Sequence, residues 1–316
     1  MTPSSVRRFA RYLPLLIRGR PLRGQDRYRP FFIVGSGRCG STLLRAMLEA
    51  HPDLHIPPES ALGSMLRDYR RYSRLPWDVV LRIVLAPLEY DRAWAPWELA
   101  LGPLFRELNA LPREARNLAT VLAALYRAHT GRCKPSATRW GDKTPPNTSS
   151  LPALQGVFPD LQVVHLLRDG RDVVRSFMQV SEAGLPYWAD TWLRAVRTAR
   201  AFAARYPAQY LEVRYEDLVR EPQATIRAVA TFLGVAVDEH MLRHHELDLR
   251  LGDVDRYPRL QGVRQPVHRA SIGRWRTALN AGQIAELDRL LGPTLAALGY
   301  DAGEAPGAPA PRGATR

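Results

Sequence analysis

Phe31-Phe32-Ile33-Val34-Gly35-Ser36-Gly37-Arg38-Cys39-Gly40-Ser41-Thr42-Leu43-Leu44-Arg45-Ala46-Met47-Leu48 is the stretch that decides the fold. The apolar run 31–34 has the length and composition of a buried strand, and residues 42–48 carry apolar side chains at helical spacing. Strand, glycine-rich turn and helix aim successive backbone N–H groups and a helix N-terminus at one point, which suits an anion. A nucleoside-triphosphatase loop reads G-x-x-x-x-G-K-[ST], its lysine on the terminal phosphates and its hydroxyl on magnesium. Counted from Gly35, Gly40 falls on the second glycine, but Ser41 stands where the lysine belongs. The positive charge sits inside the loop instead, at Arg38. The loop therefore reads as a cradle for a phosphate-like group that works without Mg-nucleotide chemistry. A tight turn with no ligand is the plainer alternative.

The rest of the chain bounds the partners. Its 316 residues are enough for one sizeable core, although length alone also allows two. The formal charge of +14 fits an anionic ligand, an acidic surface or nucleic acid. Arginine supplies nearly all of the positive charge, with Lys134 and Lys143 the only lysines. No zinc-finger spacing or aromatic-interleaved basic stretch supports nucleic-acid recognition, so no nucleic-acid partner is expected. Two cysteines, Cys39 and Cys133, make no disulfide framework and fit a reducing, cytoplasmic setting. Oxidation of Cys39, in the loop, would obstruct ligand entry. No segment approaches the ~20 apolar residues of a membrane span. The basic start, residues 6–18, has too short an apolar core for a signal peptide. It reads as a leader, with a membrane-surface contact left open. Self-association as a homodimer is also left open.

Along the chain we expect a basic leader (1–28), an α/β domain (29–301) and a Pro/Gly/Ala-rich disordered tail (302–316). Residues 61–130 read as helices separated by Pro76, Pro87, Pro96, Pro103 and Pro112. Leu118, Val121, Leu122, Leu125 and Tyr126 form an apolar face there, and the region is a candidate cover over an acceptor site. A second unit pairs the apolar run 161–167 with a helix through about Val180. A third places a strand at 210–213 before a helix opened by Pro222, and a last helix covers about 281–298. Strands alternating with helices imply a P-loop-like, three-layer domain: a central parallel sheet of four or five strands with helices on both faces. The ligand should lie at the C-terminal ends of the strands closing at Val34 and Leu167.

Several motifs carry chemistry. Arg168-Asp169-Gly170-Arg171-Asp172-Val173-Val174-Arg175-Ser176 follows the second strand, and arginine and serine suit phosphate oxygens. Trp140-Gly141-Asp142-Lys143-Thr144-Pro145 keeps a lysine in a chain that otherwise uses arginine, a compact charge able to give up a proton. Glu59 lies in Pro58-Glu59-Ser60 after Ala50-His51-Pro52-Asp53. Together these motifs resemble the sulfotransferases that use 3′-phosphoadenosine 5′-phosphosulfate (PAPS), most of all the tyrosylprotein sulfotransferase branch and its bacterial relatives. The resemblance covers roughly 30–60, 140–178, 210–235 and 260–301. It implies that Gly37, Arg38, Cys39, Gly40, Ser41 and Thr42 hold the 5′-phosphosulfate, and that Arg168 and Ser176 hold the 3′-phosphate. It adds Tyr215 of Arg214-Tyr215-Glu216-Asp217-Leu218 and Arg274 of Ser271-Ile272-Gly273-Arg274-Trp275 as further contacts to PAPS. Catalysis falls to Arg38, Lys143 and, as base, Glu59. Other sulfotransferases use a histidine, so His51 and His55 remain rivals.

The implied reaction moves a sulfuryl group from PAPS to a hydroxyl acceptor, leaves adenosine 3′,5′-bisphosphate (PAP) and requires no metal. His240, His244 and His245 lack the partners of a metal site. Two departures weigh against protein tyrosine. Ala61 stands where the tyrosylprotein branch has an arginine for acidic peptides, and Val180 replaces a basic contact. A small-molecule, glycan or lipid hydroxyl is favoured. A nucleotide kinase or a basic nucleic-acid-binding protein would be the readings of another class.

Overall fold

The computed structural model describes residues 19–60, 62–91 and 94–300. Most of the leader, the tail and Ala61 lie outside the described residues. Strand β1 (Phe31–Val34) leads through the glycine loop into helix α1 (Ser41–Glu49), followed by the short β2 (Leu54–His55). The helical region is α2 (Leu62–Tyr72), α3 (Trp77–Tyr90), α4 (Leu101–Asn109) and α5 (Leu118–Cys133). Then come β3 (Arg139–Lys143), α6 (Leu151–Val157), β4 (Gln162–Leu167), α7 (Gly170–Met178) and the long α8 (Leu185–Arg205). The chain continues through β5 (Tyr210–Arg214), α9 (Tyr215–Arg220) and α10 (Pro222–Leu233) to α11 (Asp253–Arg256), α12 (Trp275–Ala278) and α13 (Ala281–Ala297).

The five strands form one parallel sheet in the order β2-β3-β1-β4-β5. Successive side chains of a strand point to opposite faces, and β1 divides its four apolar residues accordingly. Phe32 and Val34 join a core formed with α2 to α6, while Phe31 and Ile33 join one formed with α1, α7, α8 and α13. Both faces are covered, as a parallel sheet requires. The chain lays β2 and β3 on one side of β1 and β4 and β5 on the other. The loops leaving β1, β3 and β4 therefore open onto one crevice at their C-terminal ends.

Two local readings are corrected. β3 is a central strand beside β1, although its residues Arg139-Trp140-Gly141-Asp142-Lys143 are mostly polar. Pro87 and Pro103 lie within α3 and α4 rather than between helices. Pro103 is in the first turn, where its missing N–H is not needed, and Pro87 is in the last. The part of the leader after residue 19 is packed: Leu22 and Tyr28 rest on the core, and the Ala119 N–H donates to the Leu22 carbonyl at 2.8 Å.

Candidate active site

The crevice is a cleft of about 1230 Å³. Residues 35–38 and 40–43 of the loop, Glu59, Arg168, Ser176, Tyr215 and Arg274 all line it. Residues up to 239 positions apart in sequence, Gly35 and Arg274, thus share one cleft beyond the C-terminal ends of β1 and β4.

The loop owes its shape to backbone that side chains rarely allow. Gly37, Arg38 and Gly40 all have positive φ, at 78°, 54° and 92°. A Cβ on Gly40 would lie 2.3 Å from Cδ2 of Tyr215, so glycine alone fits against that ring. Arg38 is the exception, a non-glycine residue in the left-handed region, as occurs where function fixes the backbone. Its Nε donates to Oγ of Ser176 at 3.0 Å, and its carbonyl accepts from Nη1 of Arg168 at 3.0 Å. Arg168 stacks over Tyr215, 4.4 Å from the ring centroid, and its buried Nε has no hydrogen-bond partner. The loop start is fixed by Thr148, whose Oγ1 accepts from the Gly35 N–H at 3.0 Å. Thr148 belonged to no motif in the sequence reading.

Cys39 departs from its expected role. Its side chain is fully buried in the core behind the loop and does not line the cleft. Burial pushes its thiol up in pKa, which disfavours the thiolate that oxidation needs. Any ligand contact from Cys39 comes from its backbone.

Glu59 and Lys143 meet as the motifs implied. Oε1 of Glu59 is 2.7 Å from Nζ of Lys143; the glutamate side chain is 41% exposed and the lysine 1%. The sequence reading missed what stands behind the lysine. Oδ2 of Asp253 is 3.3 Å from Nζ, and Arg45 grips the other carboxylate oxygen. Burial alone would raise the Asp253 carboxyl, but Arg45 and Lys143 outweigh it and hold it below the usual range. The available signal was Arg45, a charge among the apolar residues of α1 that called for a carboxylate.

A second buried carboxylate shapes the base loop. Asp142 accepts from Tyr126 Oη at 2.6 Å, Ser60 Oγ at 2.8 Å, Asn147 Nδ2 at 2.8 Å and Thr144 Oγ1 at 3.1 Å. Trp97 Nε1 donates to the Glu59 carbonyl at 2.9 Å. Glu59 is thereby pinned from β3 on one side and from the helical region on the other.

Neither histidine rival lines the cleft. His51 Nδ1 accepts from the Asp53 N–H at 3.1 Å and Nε2 faces the Ala236 carbonyl at 3.0 Å. His55 sits between Glu49 at 2.9 Å and His129 at 2.8 Å. Glu59 is the carboxylate lining the cleft, and no other acid or histidine of the 49–60 segment does so. Among the described residues, no three His, Cys, Asp or Glu side chains converge as a metal site.

The closing segment is latched to α7. Asp172 accepts from the N–H groups of Gly273 at 2.7 Å and Trp275 at 2.9 Å, which presents the exposed Arg274 at the rim of the cleft. Arg171 stacks on Trp275 at 4.0 Å.

Residues 30–239 match the model of a group described as the sulfotransferase family, well over half of the chain. The chain belongs to the sulfotransferase family. It is 26% identical over 291 residues to protein-tyrosine sulfotransferase A of Caenorhabditis elegans, covering 88% of this chain and 69% of that protein. It is 25% identical over 331 residues to human carbohydrate sulfotransferase 6, covering 89% and 82%. Among solved structures, the sulfotransferase domain of the Synechococcus PCC 7002 olefin synthase matches with a TM-score of 0.61 and 26% identity. That match covers 89% of this chain and 99% of the other. The protein is accordingly a transferase with the P-loop-like sulfotransferase fold. Asp253 and Arg274 both lie beyond the matched residues, in the part of the chain that completes the cleft.

Proposed function

We propose that the protein transfers a sulfuryl group from PAPS to a hydroxyl acceptor, releasing PAP. The observation that carries this reading is the direct linkage of Arg38, Arg168 and Ser176 in the cleft that Glu59 lines, with Lys143 buried behind Glu59 at 2.7 Å. The residues fit the donor: Arg168 has a buried Nε without a partner among the described residues, and the glycine loop, with Gly37, Arg38 and Gly40 at positive φ, lines the cleft. When bound, PAPS supplies an activated sulfuryl group whose sulfur exchanges its bond to the phosphate oxygen for one to the acceptor oxygen. Arg38 and the loop amides would hold the 5′-phosphosulfate, and Arg168 and Ser176 the 3′-phosphate.

Glu59 takes the acceptor's hydroxyl proton, being both at the cleft surface and held in place by Trp97 and Ser60. Lys143 presents its ammonium beside Glu59 and can donate to the oxygen that leaves with PAP. Asp253 and Arg45 keep the ammonium aimed. These fixed donors and cations stabilise developing charge without reorganising.

A small-molecule, glycan or lipid hydroxyl is the favoured acceptor. Beyond the donor residues the cleft is walled by Val180, Tyr187, Trp188, Leu260 and Val263, an apolar and aromatic surface that also carries Thr191, Arg194, Arg197 and Thr198. Protein tyrosine is the second reading, favoured by the names of relatives such as the Caenorhabditis elegans enzyme. The arginine lost at Ala61 cannot decide between them, since Ala61 lies outside the described residues. Calorimetry tests the donor: PAP should bind at least tenfold tighter than ADP, which lacks the 3′-phosphate, and equal affinities would refute PAPS use. Labelled PAPS offered with acidic tyrosine peptides and with a metabolite extract tests the acceptor. Labelling of the peptides alone would overturn the small-molecule preference.

A further inference from the structure

Of the cleft arginines assigned no role by the motifs, Arg175, Arg194 and Arg197, the first is the buried one. Arg175 lies on α7 just before Ser176 and two turns after Arg168. It lines the cleft, yet is only 7% exposed. Its buried Nε has no hydrogen-bond partner. Among the described residues its guanidinium makes a long hydrogen bond from Nη2 to Oε1 of Gln179, at 3.3 Å. Among the described residues no carboxylate lies within ion-pair distance of it. A buried guanidinium left without an anion is costly, and such a group in a cleft marks the place of an anionic ligand.

The surroundings define the charge of that ligand. Arg168 and Arg274 are close enough to Arg175 that both, after burial, bear down on its pKa. Asp172 is the acid among them. It stands 3.8 Å from Arg168 and is already committed to the Gly273 and Trp275 N–H groups. Three guanidiniums against one carboxylate leave two positive charges, which a phosphate monoester, between −1.5 and −2 at neutral pH, matches. A sulfate ester or a carboxylate would bring only one negative charge.

We propose that Arg175 is a third donor-binding arginine, placing its guanidinium on the 3′-phosphate of PAPS together with Arg168 and Ser176. This rests on the donor reading given under Proposed function. Arg175 would then act in discrimination: it adds a charge-assisted bond available only to nucleotides bearing the 3′-phosphate.

The test compares PAP and ADP by calorimetry for the wild type, Arg175→Ala and Arg175→Lys, with folding of each verified by circular dichroism and urea denaturation. Loss of one charged hydrogen bond predicts that Arg175→Ala weakens PAP binding about 10- to 100-fold. ADP affinity should change less than about twofold, and Arg175→Lys should recover part of the PAP loss. A wild type without preference for PAP overturns the donor reading itself. A wild type that prefers PAP, with Arg175→Ala keeping the whole preference, overturns the role of Arg175 alone. Equal weakening of PAP and ADP also overturns it, as would an Arg175→Ala variant that changes only the acceptor KM.

Discussion

Replacing Lys143 by arginine isolates what the site asks of this cation. The substitution preserves charge, in a chain where 43 of 45 basic residues are already arginine. It changes shape. The lysine side chain is 1% exposed, with its Nζ fixed between Glu59 at 2.7 Å and Asp253 at 3.3 Å, so no gap exists for two further heavy atoms. Overpacking of this kind costs roughly 1–3 kcal/mol of stability. A planar guanidinium also cannot place one compact charge beside both the carboxylate and a leaving oxygen. We expect kcat to fall about 100-fold, equivalent to roughly 2.7 kcal/mol of transition-state stabilisation, with PAP affinity changed less than threefold. Lys143→Ala should lose kcat to a similar degree. Its stability should fall less than is usual for a broken buried ion pair, because Asp253 keeps Arg45 and Glu59 reaches solvent. The assay is initial-rate kinetics with an acceptor found in the labelled-PAPS screen, alongside urea denaturation of each variant. Full turnover by Lys143→Arg would refute the argument, since charge alone would then suffice.

Glu59→Gln should lower kcat about 100-fold or more while leaving PAP binding nearly unchanged, as measured by the same kinetics and calorimetry. Gly40→Ala should cost roughly 1–3 kcal/mol in urea denaturation and weaken PAP binding, because its Cβ would lie 2.3 Å from the Tyr215 ring at a φ of 92°. Acidification should destabilise the fold through His129, which burial, then His55, Arg45 and Arg132, lower to a pKa of about 3. Between the unfolded value near 6.5 and about 3 the unfolded chain binds the extra proton, so stability is present above 6.5 and declines as pH falls through that window. Urea midpoints at pH 7.0 and 5.5 should show roughly 1 kcal/mol lost through this group, and His129→Gln should flatten the difference.

Local pattern carried most of the architecture. The bounds of β1 and the start of α13 follow from apolar runs and periodicity, and Asn280 caps α13 as a capping box. β3 was hidden because its burial comes from its neighbours rather than its composition. Its central Gly141 pairs with Phe31, and a Cβ there would meet the Phe31 ring at 2.3 Å. That glycine marks close approach, a meaning invisible until the partner strand is known. The scarcity of lysine pointed to Lys143, but Lys134 passes the same filter for a different reason. Its ammonium meets the carbonyls of Glu49, His51 and Leu54, the last two at 2.7 and 2.8 Å, closing the turn after α1. Three converging acceptors suit a compact ammonium better than a fork. Retained lysine therefore signals geometry, and only the company of Glu59 separates chemistry from structure. Asp253 was unreadable for a further reason. It stands 208 residues from Arg45 and 110 from Lys143, in a segment with no pattern of its own.

No described residue of the helical region 62–130 lines the cleft, yet the region shapes the site from behind. Its Trp97 and Tyr126 hydrogen-bond directly to the base loop and to Asp142, and their rings meet edge-on with centroids 5.4 Å apart. Asp142 in turn gathers Ser60 and Thr144, the neighbours of Glu59 and Lys143. Burial pushes its carboxyl up, and the four donors around it work against that rise. Glu59 and Lys143 are thus tied to one buried carboxylate and to one aromatic pair from the helices. The donor residues are set separately, by the loop, α7 and the latch at Asp172. Sequence change at Trp97 or Tyr126 therefore bears on Glu59 and Lys143, while the loop, α7 and the latch are held by other residues.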